Sequence, residues 1–126
     1  MPEPAQLGER TTAVPLLGPA GLAGLRRHVR ELLDGERPEA AERALLVVDT
    51  LAGLACRHAQ PPCTVRLRHR PGARLRADLR ELRCRALPGH TALRLPLHVL
   101  DRLARSWCVD LHGHHGVLFA EVDLRR

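Results

Sequence analysis

The sequence contains no lysine and no tyrosine, and its 126 residues include one phenylalanine and one tryptophan. So few aromatic rings exclude a nucleic-acid platform built from several stacking side chains. No apolar run approaches the roughly 18 residues that a membrane-spanning helix needs. The first ten residues are polar and hold no hydrophobic signal core, so we expect a cytoplasmic protein that does not bind membranes.

Cysteines are few, and arginine is abundant. Cys56, Cys63, Cys84 and Cys108 form no CxxC pair, which predicts reduced thiols rather than a zinc knuckle or a redox motif. All 20 basic residues are arginine, and the net charge is +6. Genome composition and an anionic partner are both open explanations of this basicity, because Arg, Ala, Leu, Pro and Gly share GC-rich codons. The length suits a single domain.

Hydrophobic spacing predicts three helices. Residues 20–33 carry leucine and valine at three- and four-residue intervals, as one face of a helix requires. Pro38 suits the first turn of a second helix that runs to Ala59, and its largely apolar middle predicts a buried central helix. After a loop over residues 83–94, Pro96 is expected to open a short third helix.

Alternating patterns predict a hairpin. Residues 64–70 (TVRLRHR) and 73–79 (ARLRADL) alternate apolar and charged side chains, and Pro71-Gly72 between them suits a turn. One face of this hairpin is therefore apolar. The other face should project six guanidinium groups, from Arg66, Arg68, Arg70, Arg74, Arg76 and Arg80.

Three further strands complete the predicted sheet. Residues 11–17 form an edge strand, because Pro15 has no N–H to donate to a ladder. The last two strands lie around residues 108–112 and 117–124. The pattern predicts an α+β fold with helices packed on one face of a mixed or antiparallel sheet. We expect residues 1–12 to form a flexible lead and residues 13–126 a single domain.

Five segments, in this order, resemble the histidine-kinase-type (GHKL) ATPase domain and, more narrowly, the small anti-sigma-factor serine kinases of actinomycetes. They are AGLAGLRRHVRELL (20–33), ERALLVVDTLAGLACRHA (42–59), TVRLRHRPGARLRADLRE (64–81), LPLHVLDRLARSWCVD (95–110) and GVLFAEVDL (116–124). The resemblance covers residues 12–124. It implies a Bergerat-type two-layer α/β sandwich and a nucleotide pocket.

The resemblance places the family's catalytic Glu and its Mg²⁺-binding Asn, four residues apart on the central helix, at Thr50 and Leu54. Leu54 has no oxygen for a hard cation, and Thr50 has no carboxylate to act as a base. A shift of one residue pairs Asp49 with Gly53, which has no side chain. We therefore predict no catalytic residue and no metal ligand.

Other pocket positions are also altered. The Asp that accepts from the adenine amino group corresponds to Glu81, and the Thr of the last strand corresponds to Val117. The glycine-rich lid is replaced around Arg94 and Pro96, and proline has no N–H for a phosphate. Together with Thr50, Leu54 and His58, these positions are the remnants of a nucleotide site. We therefore expect no cofactor. If the site does function, the expected cofactor is Mg-ATP. At the end of its helix, His58 should be favoured in its protonated form by the helix dipole.

A cluster of histidines close to Cys108 offers zinc-type ligands at His112, His114 and His115. No second ligand pair has the usual spacing, so an exposed turn is the preferred interpretation.

The preferred functional hypothesis is a regulatory protein of the anti-sigma-factor type with an eroded ATP site. Its partner would be a sigma factor, an anti-anti-sigma factor, another regulator or a second copy. The alternative is an active ATP-dependent serine/threonine kinase. A third hypothesis is a basic nucleic-acid-associated module. For the arginine face we prefer an acidic protein over nucleic acid, because Phe119 and Trp107 are predicted to lie elsewhere.

Overall fold

The computed structural model describes residues 8–85 and 90–125. Within these ranges the chain forms five strands and three α-helices, with a short 3-10 turn before the first helix. In chain order the elements are β1 (Arg10–Leu16), α1 (Leu22–Leu32), α2 (Pro38–His58), β2 (Cys63–Arg70), β3 (Arg74–Leu82), α3 (His90–Leu103), β4 (Ser106–Asp110) and β5 (Gly116–Asp123).

The strands form one sheet in the order β1-β2-β3-β5-β4, and each neighbouring pair is antiparallel. The helices lie on one face of this sheet, with α2 in the middle, in contact with α1, α3 and β5. The predicted two-layer α+β sandwich is therefore confirmed, and the sheet is antiparallel rather than mixed.

The two faces of the sheet differ in composition. On the inner face, which the helices cover, Leu67, Ala77 and Ala120 lie opposite one another on β2, β3 and β5, and all three are buried. They pack into one hydrophobic core with leucines and valines of α1 and α2. On the outer face, no helix of the described part covers the alternate side chains of the same strands.

The edge strand and the hairpin agree with the sequence pattern. β1 pairs only with β2 in the sheet and contains Pro15, as predicted for an edge. Gly72 has a φ of 72° in the hairpin turn, a conformation that glycine adopts without strain. The predicted lead of residues 1–12 is too long, because β1 begins at Arg10 and pairs there with His69. Residues 1–7 lie outside the described ranges.

The third helix differs most from its prediction. It begins at His90, six residues before Pro96, which therefore lies inside the helix rather than at its start. Proline in a helix interior removes one backbone hydrogen bond and costs about 3 kcal/mol. Burial of Leu100 and packing of Leu93 against the core compensate for this cost. Residues 86–89 of the predicted loop lie outside the described ranges.

No helix in the described part of the chain is long and apolar enough to cross a membrane.

The buried carboxylate of Glu36 links the helical layer to the hairpin through polar contacts. Glu36, in the connection between α1 and α2, lies 2.9 Å from the His69 Nε2 atom. The same carboxylate accepts a hydrogen bond from the backbone N–H of Gly72, at 2.9 Å and 3.2 Å from its two oxygens. The His69 and Glu36 side chains are 5% and 8% exposed, so this polar contact is satisfied within the core.

Candidate functional site

The two positions that correspond to the family's catalytic pair do not form a ligand site. Leu54 is fully buried and belongs to the hydrophobic core. The Thr50 hydroxyl donates a hydrogen bond to the carbonyl of Leu46, one turn earlier in α2, at 2.7 Å. Neither residue offers the free oxygen pair that a hard divalent cation requires.

The neighbouring carboxylate, Asp49, has a structural partner. Its Oδ1 atom accepts from the Arg26 Nε atom at 2.6 Å, which joins α2 to α1. This hydrogen bond, with the charge of the carboxylate, raises the pKa of Arg26 above its usual value. Asp49 thus connects two helices rather than replacing the missing family carboxylate.

His58 does not behave as the sequence suggested. Burial lowers the pKa of His58 below its usual value, and the guanidinium groups of Arg57 and Arg85 lower it further. Burial and two like charges thus oppose the protonated form that the helix dipole was expected to favour.

Glu81 and Val117 lie on the outer face of the sheet, whereas Thr50 and Leu54 lie on α2. A register shift between Leu79 and Leu82 interrupts the pairing of β3 with β5, and Glu81 has a φ of 55°. Its exposed carboxylate lies 2.7 Å from the His115 Nδ1 atom. Val117 alternates with the buried Leu118 and therefore faces outward.

The two positions that correspond to the family's glycine-rich lid lie on α3. Arg94 borders a cavity of about 700 Å³ between α3 and β4, which is also lined by Leu95, His98 and Trp107. Leu95 is 69% exposed there, whereas Pro96 is buried. The seven predicted remnants are thus divided among α2, the outer face of the sheet and α3.

The histidine turn makes pairwise contacts. His112 lies beside Asp110, and His115 lies beside Glu81. Within the described ranges, no group of three histidine, cysteine or acidic side chains is arranged to hold a metal ion.

The outer face carries a large groove. Five of the six predicted arginines share this face, as the pairing of Arg66 with Asp78, Arg68 with Arg76 and Arg70 with Arg74 shows. The sixth, Arg80, lines the groove on the same face. The groove has a volume of about 1180 Å³ and runs along β2 and β3. Its lining includes guanidinium groups from Arg66, Arg68, Arg80 and Arg83 together with the Asp78 carboxylate.

Asp78 is the residue that sequence reasoning missed. It is only 6% exposed although it lies on the outer face, because arginine side chains cover it. Its Oδ1 atom has no hydrogen-bond partner and lies 3.9 Å from the Arg80 Nε atom. Its Oδ2 atom lies 3.9 Å from the Arg76 Nε atom, which also has no hydrogen-bond partner. An acid within an otherwise basic alternating pattern was the available signal.

Phe119 also belongs to the outer face, which corrects its predicted placement. It lies opposite Asp78 in the register of β3 and β5. The guanidinium carbon of Arg76 lies 4.4 Å from the centroid of the Phe119 ring, in a cation–π contact. Trp107, by contrast, lies opposite Ala120 and faces inward, as predicted.

Comparison with known proteins supports the fold. No protein-family model matches the chain, and no curated protein matches its sequence. The chain is similar to the solved histidine kinase domain from Erythrobacter litoralis EL346 blue-light activated histidine kinase, with a TM-score of 0.53. The two are 19% identical over 83% of this chain and 60% of that one, so the chain spans less than two thirds of the neighbour. The likeness supports a histidine-kinase-like ATPase fold.

Proposed function

We propose that this protein is a non-catalytic regulatory binding protein that uses the histidine-kinase-like ATPase fold without its nucleotide chemistry. The observation that carries the proposal is the complete burial of Leu54. A side chain that fills the core at the position of the Mg²⁺ ligand contributes to folding, and it supplies no oxygen to a cation.

The arrangement of the other remnants supports the same proposal. Nucleotide binding needs an adenine acceptor and phosphate donors at one pocket, next to the metal ligand. Here the acidic candidate, Glu81, lies beside His115, and the lid position Pro96 has no N–H. The hydroxyl of Thr50 is hydrogen-bonded within its own helix.

The class of partner comes from the resemblance of five segments to anti-sigma-factor serine kinases. We propose a partner from transcription regulation: a sigma factor, an anti-anti-sigma factor or another regulator. Association with a second copy is a further form of the same proposal. The alternative, an active kinase, requires a metal ligand that neither Leu54 nor Thr50 supplies.

A thermal-shift titration with Mg-ATP and Mg-ADP, followed by calorimetry, tests the proposal. A ligand at a hundredfold excess over its Kd adds about 2.7 kcal/mol to the stability of the folded state. For a domain of this size that raises Tm by on the order of ten degrees. We expect a shift in Tm below about 1 °C at millimolar nucleotide, which is small on this scale.

A large shift would contradict the proposal and favour the kinase alternative. In that case Thr50→Ala would be compared with Arg27→Ala, a change of an exposed residue on α1. Loss of the shift in the first variant alone would place the nucleotide at the family position. Transfer of phosphate to a candidate protein would then be the next measurement.

A further inference from the structure

The outer face of the sheet places arginines opposite one another at and beside the groove, and Arg68 is the paired arginine that lines it. Arg68 lies opposite Arg76, and Arg70 lies opposite Arg74, across β2 and β3. Like charges directly opposite each other destabilise an antiparallel pair. Acidic groups relieve that repulsion, as Glu9 does beside Arg68 and Arg74 and as Asp78 does beside Arg76.

The chain already shows how a carboxylate binds there. Glu9, just before β1, lies 3.4 Å from the Arg68 Nη2 atom and 3.5 Å from the Arg74 Nη2 atom. Its side chain is 23% exposed, so a single carboxylate contacts two arginines and is largely covered. Arg66 and Arg80 line the same groove, and both are exposed.

Asp78 adds a second requirement to the ligand. The Asp78 side chain is 9% exposed and lines the groove, and its Oδ1 atom accepts no hydrogen bond. A buried acceptor without a partner costs free energy until a donor reaches it. An occupant that draws the covering arginines toward its acidic groups would expose this oxygen, and an N–H or O–H of the occupant would then donate to it.

A nucleic-acid strand fits this groove less well. Glu9, Asp78 and Glu81 line it with the arginines, and a nucleic-acid strand carries a phosphate at every nucleotide, so its charges cannot be spaced to avoid these carboxylates. The ring of Phe119 is covered by the Arg76 guanidinium, so it is not free to stack on a base. An extended peptide supplies main-chain N–H groups between its acidic side chains, which matches both requirements.

We propose that the groove binds an extended acidic segment of a protein partner. Its carboxylates would contact Arg66, Arg68 and Arg80, and a main-chain N–H would donate to the Oδ1 atom of Asp78. This inference rests on the proposed function as a protein-binding regulator, and it specifies the surface and the chemistry of the partner. Charge-assisted contacts of this kind set both the affinity and the rate of association.

Fluorescence anisotropy with a labelled peptide of alternating Glu and Ala tests the inference on the full chain. The control peptide replaces each Glu with Gln. We expect the Glu peptide to bind and the Arg66→Gln/Arg80→Gln variant to weaken it about tenfold, or about 1.4 kcal/mol. The matched variant Arg27→Gln/Arg30→Gln removes the same charge from exposed sites on α1. It should change the peptide affinity less than about twofold, because long-range attraction is screened at moderate salt.

A second variant keeps the test decisive if the double variant loses stability. Glu9→Gln removes the carboxylate that contacts Arg68 and Arg74, and we expect it to strengthen peptide binding about threefold, within the range of an exposed ion pair. Circular dichroism would verify that each variant is folded.

Three results would overturn the inference. The first is an absence of peptide binding, and the second is an equal loss of peptide affinity in the two double variants. The third is that oligodeoxythymidine binds more tightly than the peptide and that only Arg66→Gln/Arg80→Gln weakens its binding. None of them depends on the nucleotide titration, so a failure of this inference is distinguishable from a failure of the proposed function.

Discussion

Within the described part of the chain, each face of the sheet buries one polar side chain, and the two side chains differ in whether they are hydrogen-bonded. On the inner face, His69 bonds Glu36 at 2.9 Å. On the outer face, Asp78 has guanidinium groups 3.9 Å away and no hydrogen bond to its Oδ1 atom. A satisfied buried group stabilises a fold, whereas an unsatisfied one signals a function or a missing partner.

The same contrast holds for the apolar residues. The inner face is closed off from solvent by the helices, as the burial of Leu118 on β5 and of Leu54 on α2 shows. The outer face exposes charged side chains and a groove. The inner face therefore maintains the fold, and the outer face carries the groove for which we propose a partner.

The largest expected effect is on the inner face. Leu54→Ala should reduce the free energy of unfolding by about 3 kcal/mol, because it leaves a cavity in the centre of the core. Leu46→Ala, on the same helix at a 46% exposed position, should cost less than about 1 kcal/mol. Urea denaturation measures both. Equal costs would mean that position 54 is not packed as described, and would reopen it as a ligand site.

A smaller effect is expected at Gly116, where a Cβ atom would lie 2.5 Å from the Cys84 Sγ atom and 3.1 Å from the Asp110 carbonyl oxygen. Gly116→Ala should therefore cost about 1–3 kcal/mol by overpacking. A Cys84→Ala background should recover part of that cost. Gly24→Ala on α1, where nothing lies within 4 Å, should instead stabilise by about 0.5–1 kcal/mol. Thermal unfolding of the four variants distinguishes a crowded site from a generally intolerant chain.

The two buried polar residues give the next test. His69→Leu leaves the buried Glu36 carboxylate with only the Gly72 N–H as partner and should cost about 1–2 kcal/mol. Asp78→Asn should change stability by less than about 0.5 kcal/mol, because no hydrogen bond to Oδ1 is lost and the nearby arginines keep access to water. If the Asp78 variant is the more damaging one, the outer face is structural, and the contrast between the faces fails.

The smallest effect concerns pH. Because the pKa of His58 is lowered in the folded state, the unfolded chain binds more protons below about pH 6.5. The stability contributed at neutral pH is therefore lost on acidification through this range. His58→Gln should reduce the loss between pH 7 and pH 5 by less than about 0.5 kcal/mol, since the ring is partly solvated. An unchanged pH profile would show that neither burial nor the charges of Arg57 and Arg85 lower the pKa of this ring in the folded protein.

Sequence patterns predicted the features that depend on local spacing. The bounds of α2, the hairpin of β2 and β3 and the edge position of Pro15 follow from periodicity, proline chemistry and turn chemistry. Burial of Leu54 also follows from the apolar middle of its helix. These elements use residues close together in the sequence, so a single pattern contains the information.

Features that depend on tertiary register were not predictable. The start of α3 is determined by packing of Leu93 and Leu100 on the core, which outweighs the signal of Pro96. The direction of Glu81 depends on a register shift between β3 and β5. The position of Phe119 beside Arg76 depends on the pairing of two strands about 40 residues apart, which no spacing within either strand specifies. The candidate groove therefore emerged only from the assembled sheet.

The bridge from Glu36 to the hairpin has a consequence for the order of folding. The Glu36 carboxylate contacts His69 and Gly72, which lie 33 and 36 residues away in the chain, so it can bond neither until the hairpin has docked against the helical pair. Local helix and hairpin contacts form without paying the loop-closure entropy of this contact. The bridge therefore belongs to the last stage of assembly, and its loss is expected to accelerate unfolding while leaving the rate of folding nearly unchanged.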